Sequence, residues 1–481
     1  RFSAPSITLT PSGTGTGSQT FTASSSVFTA ADVGDKLEFT DSAGTVVNIN
    51  ISGFTSGTQI TGTFSSSVAN TNARTTWKEQ VFCSQRGFAR SVAFHDQRLI
   101  FGGSKDLPNH LFMSKVGEFF NFDVGTGLDD ESIQIQIAEN QISEIKAIES
   151  FRHLSIFTSE AELFVPTTEN RPLTPSTIAI KRQTSYGSGD VSPVEFDGAL
   201  VFLTKSKGAV REFVFSDLSQ AYNSDALTLL SQHLIGSPID MVAQREASDQ
   251  VEAYLYTVNS AGKMPVMVSI RKEQLQGWAE YSTQGSFKNV VNVNRQIYVV
   301  VERTINNVTK TFLELLDNDY HIDAASKQTN GSPITTWTVA HLPNTEVVVK
   351  SGNNSLGTYT TNGSGQLTLT TAVSSVEIGI NYTPTMTTLP PEFTLQDGIS
   401  VGQKRRIVRA VLDLNETLSV KTKGTNILIR RVTDDFSIEQ TPISQRKEIY
   451  LLGWSSEGTV TVTQDQPLPL TLNGLLLEVE L

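Results

Sequence analysis

The sequence predicts an all-β protein built around a β-propeller, and two observations lead to this. Thr, Ser, Gly, Val and Ile are abundant, only 18% of residues are charged, and amphipathic helical periodicity is hard to find. Apolar, β-favouring runs also recur, with starts roughly 45 to 55 residues apart, the period of a four-stranded sheet repeated around an axis. The five runs are Leu99–Phe101, Leu154–Phe157, Leu200–Leu203, Ala253–Val258 and Ile297–Val301.

The first predicted element is a small β-module over residues 1–76. Val47, Ile49 and Ile51 alternate with polar neighbours, which indicates a half-buried sheet. Low charge and a simple composition would also suit a disordered linker, but the alternation favours the folded module.

The propeller is predicted over residues 77–325. Because only five apolar runs are visible, we expect its ring of blades to be incomplete in this chain. Its hairpins are recognisable from a run, a turn and a second run. One hairpin joins Ala199–Leu203 to Val210–Phe215, and another turns at Asn306–Asn307.

Two further β-modules are predicted after the propeller, a sandwich-like module over residues 326–395 and a C-terminal module over residues 396–481. Polar residues at Ala324–Pro333 and the segment Pro384–Pro391 suggest the boundaries. The last run, Leu475–Leu481, is expected to be a strand buried on both faces. Earlier strands of the C-terminal part are predicted at Ile407–Leu414, Ile427–Arg431 and Thr459–Thr463.

The net charge, the cysteine content and the lengths of the apolar runs exclude several classes of protein. A net charge of −12 argues against a protein that binds nucleic acid by neutralising its phosphates. The same charge is compatible with a surface along which DNA moves without binding. Cys83 is the only cysteine, so no disulfide framework or thiolate metal cage is expected, and folding inside a cell fits. No run has the length of a membrane span, and no signal peptide is recognisable. A chain that begins at Arg1 suggests a fragment or a processed product.

No catalytic, cofactor-binding or metal-binding residue is predicted. None of the histidines at 95, 110, 153, 233, 321 and 341 has the spacing of a metal-binding helix motif, and each is interpreted as structural or exposed. The acidic groups Asp317, Asp319 and Asp323, and Asp129 to Glu131, are interpreted as solvated turns. In the first group, the Gly and the distal Glu of a calcium loop are missing.

Glycine-rich and nucleophile-bearing loops are likewise interpreted as structural. Gly13–Gly17 lacks the Lys-Ser/Thr of a phosphate loop. Ser185 and Ser188 in the loop around Tyr186–Asp190 have no recognisable catalytic partners. Arginines 86, 90 and 98 could bind a carboxylate from one face of a strand, but salt bridging is the more economical interpretation.

Several segments together resemble the tail nozzle, or tail tubular protein B, family of short-tailed bacteriophages. The clearest is RGFARSVAFHDQRLIFGGSKDLPNHLFMSKVGEFFNF at 86–122, followed by the acids at Asp129 and Asp130. The resemblance continues with FTASSSVFTAADVGDKLEF (21–39), LTPSTIAIKRQTSYGS (173–188), GALVFLTKSKGAVREFVF (198–215), QGWAEYSTQGSFKNV (276–290), AHLPNTEVVVKSGN (340–353), VEIGINYTPTMTTLPPEF (376–393) and LLGWSSEGTVTVTQDQPLPLTLNGLLLEVEL (451–481). Ala89 departs from the family pattern, where a Pro is common, and touches packing only.

The resemblance implies a structural virion protein of the tail and no enzyme. Such a protein would be assembled in the host cytoplasm as a ring of identical copies, a hexamer, around the genome ejection channel. Its partners would be further copies and other tail proteins such as the adaptor, with DNA passing transiently and without specific binding. No cofactor is implied.

Two other classes remain open from the sequence. Trp278, Tyr281, Trp337 and Trp454 could stack on sugars in a receptor-binding or carbohydrate-binding tail protein, although the favoured interpretation is that they fill blade and sandwich cores. A glycan hydrolase on a propeller frame would need two carboxylates about 5 to 10 Å apart in a central pocket.

Overall fold

The computed structural model describes residues 2–3, 6–138, 143–167, 173–245, 252–395, 398–400, 402–430, 433 and 438–481. In these residues the only helical segments are the short ones at Ala30–Asp32, Gln232–Ile235 and Arg271–Glu273. The predicted all-β class, with blade-type sheets in the middle and β-modules at either end, is confirmed. The chain forms two compact units, Arg1–Ala253 with Ser269–Gln274, and Tyr254–Val268 with Leu275–Leu481.

The N-terminal module is one seven-stranded sheet. Its core is aromatic and aliphatic: Phe21 and Phe39 both pack against Phe64, while the indole nitrogen of Trp77 donates a hydrogen bond to the Ile7 carbonyl at 2.9 Å. In spatial order, the strands are Phe2–Ser3, Trp77–Glu79, Lys36–Thr40, Val46–Ser56, Gln59–Phe64, Ser18–Ala23 and Leu9–Pro11.

Four four-stranded sheets follow, and in each the strands are hydrogen-bonded in chain order, as in propeller blades. The first contains Ser91–His95, Arg98–Gly102, His110–Met113 and Ile133–Gln136; the second Ile145–Ser150, Leu154–Thr158, Glu162–Val165 and Lys181–Thr184; the third Val194–Phe196, Ala199–Leu203, Val210–Ser216 and Ala221–Asn223; the fourth Pro238–Gln244, Ala253–Asn259, Met264–Ile270 and Leu275–Tyr281. Each apolar run found in the sequence is the second strand of its sheet, which explains their regular spacing.

The first three sheets pack face to face through apolar side chains. Ile100 and Met113 of the first sheet share a core with Ile156 of the second, and Phe157 of the second contacts Phe202 of the third at 5.3 Å between ring centroids. The first two sheets approach closely at Gly102, where an added Cβ would lie 2.2 Å from a methyl of Ile148. A larger residue there would require the Ile148 and Ile145 side chains to shift, because they occupy the space that its Cβ needs.

The fifth sheet has three strands, Ser286–Val293, Gln296–Ile305 and Val308–Leu316. The predicted turn is present, and Asn306 and Asn307 have φ values of 50° and 60°, which suits the type I′ turns of two-residue hairpins. Ile305 shares its core with the next sheet, whose spatial order is Asp323–Thr338, Gln366–Ile380, Glu346–Ser351 and Asn354–Thr360.

The C-terminal module contains two larger sheets with a common apolar core. Ile407 and Leu412 of one sheet and Val462 of the other belong to this core. One sheet has the order Ile443–Tyr450, Arg406–Thr417 and Thr471–Glu480, and the other has Thr385–Thr387, Thr461–Thr463, Lys421–Thr422 and Thr425–Asn426. A two-stranded ribbon, Thr394–Leu395 with Gly398–Ile399, lies in the sequence between strands Thr385–Thr387 and Arg406–Thr417.

Several sequence boundaries differ from the observed strands. Strand Trp77–Glu79 pairs with Lys36–Thr40, so the N-terminal sheet extends three residues beyond position 76. The polar stretch Ala324–Pro333 belongs to strand Asp323–Thr338 instead of forming a linker, because polar residues suit its largely exposed positions. Thr385–Thr387, predicted as a link, is a strand of the C-terminal module. The boundary at 396 lies outside the described residues.

The last strand was expected to be buried on both faces, and this is wrong. Leu475 and Leu477 are half-buried on the core side, whereas Leu476 and Glu478 are exposed. The reason is that this strand lies in an antiparallel sheet with one open face, where Glu478 pairs with Arg409 at 3.0 Å. Residues 427–430 of the run Ile427–Arg431 are not a strand, and Arg431 lies outside the described residues.

Arg303 is a buried cation that joins the fifth sheet to the strand after it. Its guanidinium is 1% exposed and forms ion pairs with Glu314 at 2.7 Å and with Asp323 at 2.8 Å. Burial alone would lower the pKa of Arg303, but the two carboxylates outweigh burial and raise it. Arg303 therefore stays charged, and both of its partners are needed to compensate for its burial.

We predict that Arg303→Met lowers the free energy of unfolding by about 3 kcal/mol, because it leaves two half-buried carboxylates without their cation. Arg409→Met, on the open face of the C-terminal sheet, is the matched control and should cost much less, because solvent screens its ion pairs with Glu448 and Glu478. Urea denaturation of both variants measures the difference. Equal losses in the two variants would contradict the role of Arg303.

Candidate functional site

The three arginines singled out in the sequence do not converge on one binding site. Arg86 pairs with Glu79 and with Asp106, the latter at 3.1 Å. Arg98 is fully buried, and its guanidinium donates hydrogen bonds to the backbone carbonyls of Ser114, Asp129, Glu131 and Leu173 at 2.6–3.3 Å. Only Arg98 lies in a strand, so the common strand face expected for the three is wrong. Salt bridging is observed for Arg86 and Arg90, whereas Arg98 binds backbone carbonyls instead of carboxylates.

Arg90 belongs to a cluster of four charges in the first unit. It pairs with Glu144 and, at 2.7 Å, with Asp190. Lys146 contacts the same two carboxylates at 2.8 and 3.0 Å. The hydrogen bond from Lys146 is the main cause that lowers the pKa of Asp190. Two cations and two anions thus balance each other.

The position of this charge cluster is regular. Arg90 directly precedes the first strand of the first sheet, Glu144 and Lys146 stand at the start of the second sheet, and Asp190 lies shortly before the third. Of these four residues, only Arg90 was a candidate site residue from the sequence. The signal that could have found the cluster is the recurrence of a charged residue just before the first strand of consecutive sheets.

Two histidines of the first unit, His95 and His153, have local structural contacts. His95 is buried and its Nδ1 lies 2.9 Å from the Ser150 hydroxyl, while His153 Nδ1 lies 3.1 Å from the Tyr222 hydroxyl. Burial lowers the pKa of both imidazoles. Within the described ranges, no group of three or more His, Cys, Asp or Glu side chains is arranged to hold a metal ion.

The acidic groups are tied into turns. Asp317 accepts a hydrogen bond from the amide of Asp319, and Asp323 pairs with Arg303. Glu131 accepts hydrogen bonds from three consecutive amides, those of Thr126, Gly127 and Leu128, at 2.5–2.8 Å. One carboxylate oxygen therefore fixes the conformation of the loop before it.

The remaining loops of interest are also locally bonded. The Gly15 carbonyl in Gly13–Gly17 accepts a hydrogen bond from the Gln19 amide at 2.9 Å. Ser188 is fully buried, and its backbone forms a bridge with Thr204, so its hydroxyl is not presented to solvent. Tyr186 lies under the guanidinium of Arg211, 3.6 Å from the ring centre.

The four aromatic residues considered for sugar binding divide between core and surface. Trp337 is 4% exposed and belongs to the core of the sheet after the propeller. Trp454 is 52% exposed, and the Arg406 guanidinium lies 5.9 Å from its ring. Tyr281 is partly exposed on the strand that also carries Trp278. The core interpretation is therefore correct for Trp337 and does not apply to Trp454.

The larger of two notable cavities lies in the first unit and has a volume of about 380 Å³. Ile135, Ile137, Leu163 and Ile180 form its apolar lining, and Arg182 is the charged residue among the described lining side chains. The smaller cavity, about 10 Å³, lies beside Cys83 and Asp35 and is the size of one water molecule. Burial raises the pKa of the Cys83 thiol.

The second sheet carries an acid, Glu149, that forms no ion pair within the described part of the chain. Glu149 is partly buried on strand Ile145–Ser150, directly opposite Ser155. Burial raises the pKa of Glu149 from its ordinary value near 4.5 to about 7. The sequence contained no signal for this, since burial of one carboxyl depends on the packing of the neighbouring sheet.

The sequence matches no protein-family model and no curated protein. Similar solved structures include the dihydro-heme d1 dehydrogenase NirN in complex with DHE, with 10% identity over 78% of this chain and 75% of that one and a TM-score of 0.33. Another is a putative 6-phosphogluconolactonase from Bacteroides fragilis, with 11% identity over 65% of this chain and 98% of that one and a TM-score of 0.29. Such low scores carry no argument about this chain. In the described part, no helix is long and apolar enough to cross a membrane.

We predict that Glu149→Gln stabilises the protein at pH 8 by about 1–3 kcal/mol and has little effect at pH 4.5. The folded chain holds the proton of Glu149 more tightly than the unfolded chain, so the advantage of the folded state is full below about pH 4.5 and lost as the pH rises through 7. Glutamine mimics the neutral acid and removes the loss. Melting temperatures at the two pH values, with the exposed Glu448→Gln as control, measure the effect; a gain at pH 4.5 as large as at pH 8 would contradict it.

Proposed function

We propose that this chain is a structural wall protein of a phage tail, a nozzle or tube component that forms a ring around the channel for genome ejection. The observation that carries the proposal is the resemblance of segments from 21–39 to 451–481, with the best-marked one at 86–122. The wall of a ring needs modules that are held rigidly relative to their neighbours, and residues of segment 86–122 form contacts that hold adjacent sheets together.

Contacts within segment 86–122 support this role. Gly102, in the FGGS motif, lets the second sheet approach, and Arg98, in the QRL motif, binds four backbone carbonyls. Arg90 joins charges from three successive sheets. These residues fix the backbone and the sheet spacing, which is the work of a rigid wall.

The charge balance also supports the proposal. The chain carries 49 acidic against 37 basic residues, and many basic side chains of the described part are paired with carboxylates, as at Arg86, Arg90 and Arg303. A wall with this balance offers DNA phosphates few unpaired cations. DNA would then pass without being held, and no bond needs to be broken by the protein.

We expect the chain to assemble into rings, a hexamer by the family resemblance, alone or on addition of its tail adaptor. Light scattering after size-exclusion chromatography of the full-length protein measures the mass. A protein that stays monomeric in both conditions would overturn the proposal.

We also expect duplex DNA to show no binding in a gel-shift assay at about 0.1 M salt, because phosphate binding requires clustered unpaired cations. A basic DNA-binding protein run alongside controls for the assay. Micromolar, salt-dependent retention of DNA would contradict a non-adhesive channel.

The second candidate is a receptor-binding or carbohydrate-binding tail protein, favoured by the exposed ring of Trp454. Binding to a glycan array that is lost in Trp454→Ala and kept in Phe120→Ala, another exposed aromatic, would support this candidate over the wall protein. A glycan hydrolase has no comparable observation in its favour.

A further inference from the structure

The first sheet has an uncovered apolar patch on the face opposite to the second sheet. Val92 and Phe94 point to this side from strand Ser91–His95, and Phe94 is 61% exposed. Phe119 packs edge-on against Phe94 at 5.2 Å, and Phe120 beside it is 96% exposed. We call Val92, Phe94, Phe119 and Phe120 the first-sheet patch.

The loop that carries Phe119 and Phe120 is held in place. Arg98 binds the carbonyls of Ser114 at its start and of Asp129 and Glu131 at its end. The Glu131 carboxylate in turn binds three loop amides. A buried arginine therefore stabilises a loop whose aromatic rings are exposed to water. Exposed aromatic residues on an ordered loop are typical of a surface that binds another protein.

The fifth sheet has a second uncovered apolar face. Val291, Tyr298 and Leu315 stand opposite one another across its three strands, and Val300 stands opposite Leu313 in the next row. Leu313 is 69% exposed, and Val291 and Leu315 are each more than 40% exposed. We call Val291, Tyr298, Val300, Leu313 and Leu315 the fifth-sheet face.

The two surfaces have opposite charge around them. The loop segment 115–131 carries Lys115 against five acids, Glu118, Asp123, Asp129, Asp130 and Glu131. The fifth sheet, residues 286–316, carries three exposed basic side chains, Lys288, Arg295 and Lys310, against Glu302. Arg303 and Glu314 pair with each other on the buried side of this sheet and do not contribute to the rim. An acidic rim at one apolar surface and a basic rim at the other favour their association in one orientation.

We propose that the first-sheet patch of one copy of this chain binds the fifth-sheet face of a second copy. The contact places two different surfaces together, so each copy keeps one free patch and one free face for the next copy. Such heterologous contacts close into rings when the rotation between copies allows it. The inference deepens the proposed ring and rests on it.

Single-cysteine cross-linking tests the contact. Phe94→Cys and Leu313→Cys are introduced into separate full-length chains with different affinity tags, the two chains are co-expressed, and the assembly is treated with a short bismaleimide. Cys83 is buried with a raised pKa and remains in all variants as the background. The expected result is a cross-linked pair that carries both tags, with no pair from either variant alone. Leu428→Cys, exposed on the C-terminal module, replaces Leu313→Cys as the control and should give no cross-link to Phe94→Cys.

Other outcomes separate the contact from the ring. Rings that form without a 94–313 cross-link would overturn this contact and leave the ring proposal standing. A cross-link between two Phe94→Cys chains would have the same meaning. In a variant with both substitutions in one chain, a 94–313 cross-link within that chain would also overturn the contact. Absence of any assembly would overturn both proposals. As a second readout, Leu313→Ser should shift the assembled mass to that of the single chain, whereas Leu428→Ser should not.

Discussion

The middle of this protein depends on strands that are buried on both faces. Every residue of Leu154–Thr158 and of Ala199–Leu203 is buried, so each sheet needs another sheet on either side. That requirement explains the face-to-face cores around Ile156 and Phe202, and the regular spacing of apolar runs along the chain.

This constraint determined how much could be predicted from the sequence. The second strands were recognisable because burial on both faces leaves a continuous apolar run, and the hairpin at Asn306–Asn307 because its turn needs residues that tolerate positive φ. The long strand Asp323–Thr338 was missed because its exposed positions are polar and resemble a linker. The last strand was misjudged because Leu475 to Leu477 form an apolar run although one face is open.

The candidate sites were harder to predict, since they depend on contacts between distant residues. Lys146 and Asp190 are 44 positions apart, and only the packing of successive sheets brings them to 3.0 Å. The same holds for Arg98, whose guanidinium reaches the Leu173 carbonyl from a different sheet. The residue type suggested that the three arginines form ion pairs. It gave no indication that Arg98 binds backbone carbonyls and no carboxylate. Charge in this protein is used mainly for internal pairing, at the starts of strands and in the loops that support them.

Gly102 contributes to the packing of the first two sheets because it has no side chain. A Cβ there would lie 2.2 Å from the terminal methyl of Ile148 and 3.1 Å from a methyl of Ile145, so both side chains would have to shift within a core that includes Ile100, Met113 and Ile156. Glycine thus gives these aliphatic side chains the space in which they pack. Even alanine at this position would require the core to repack, whereas the apolar residues around it can exchange for others of similar volume.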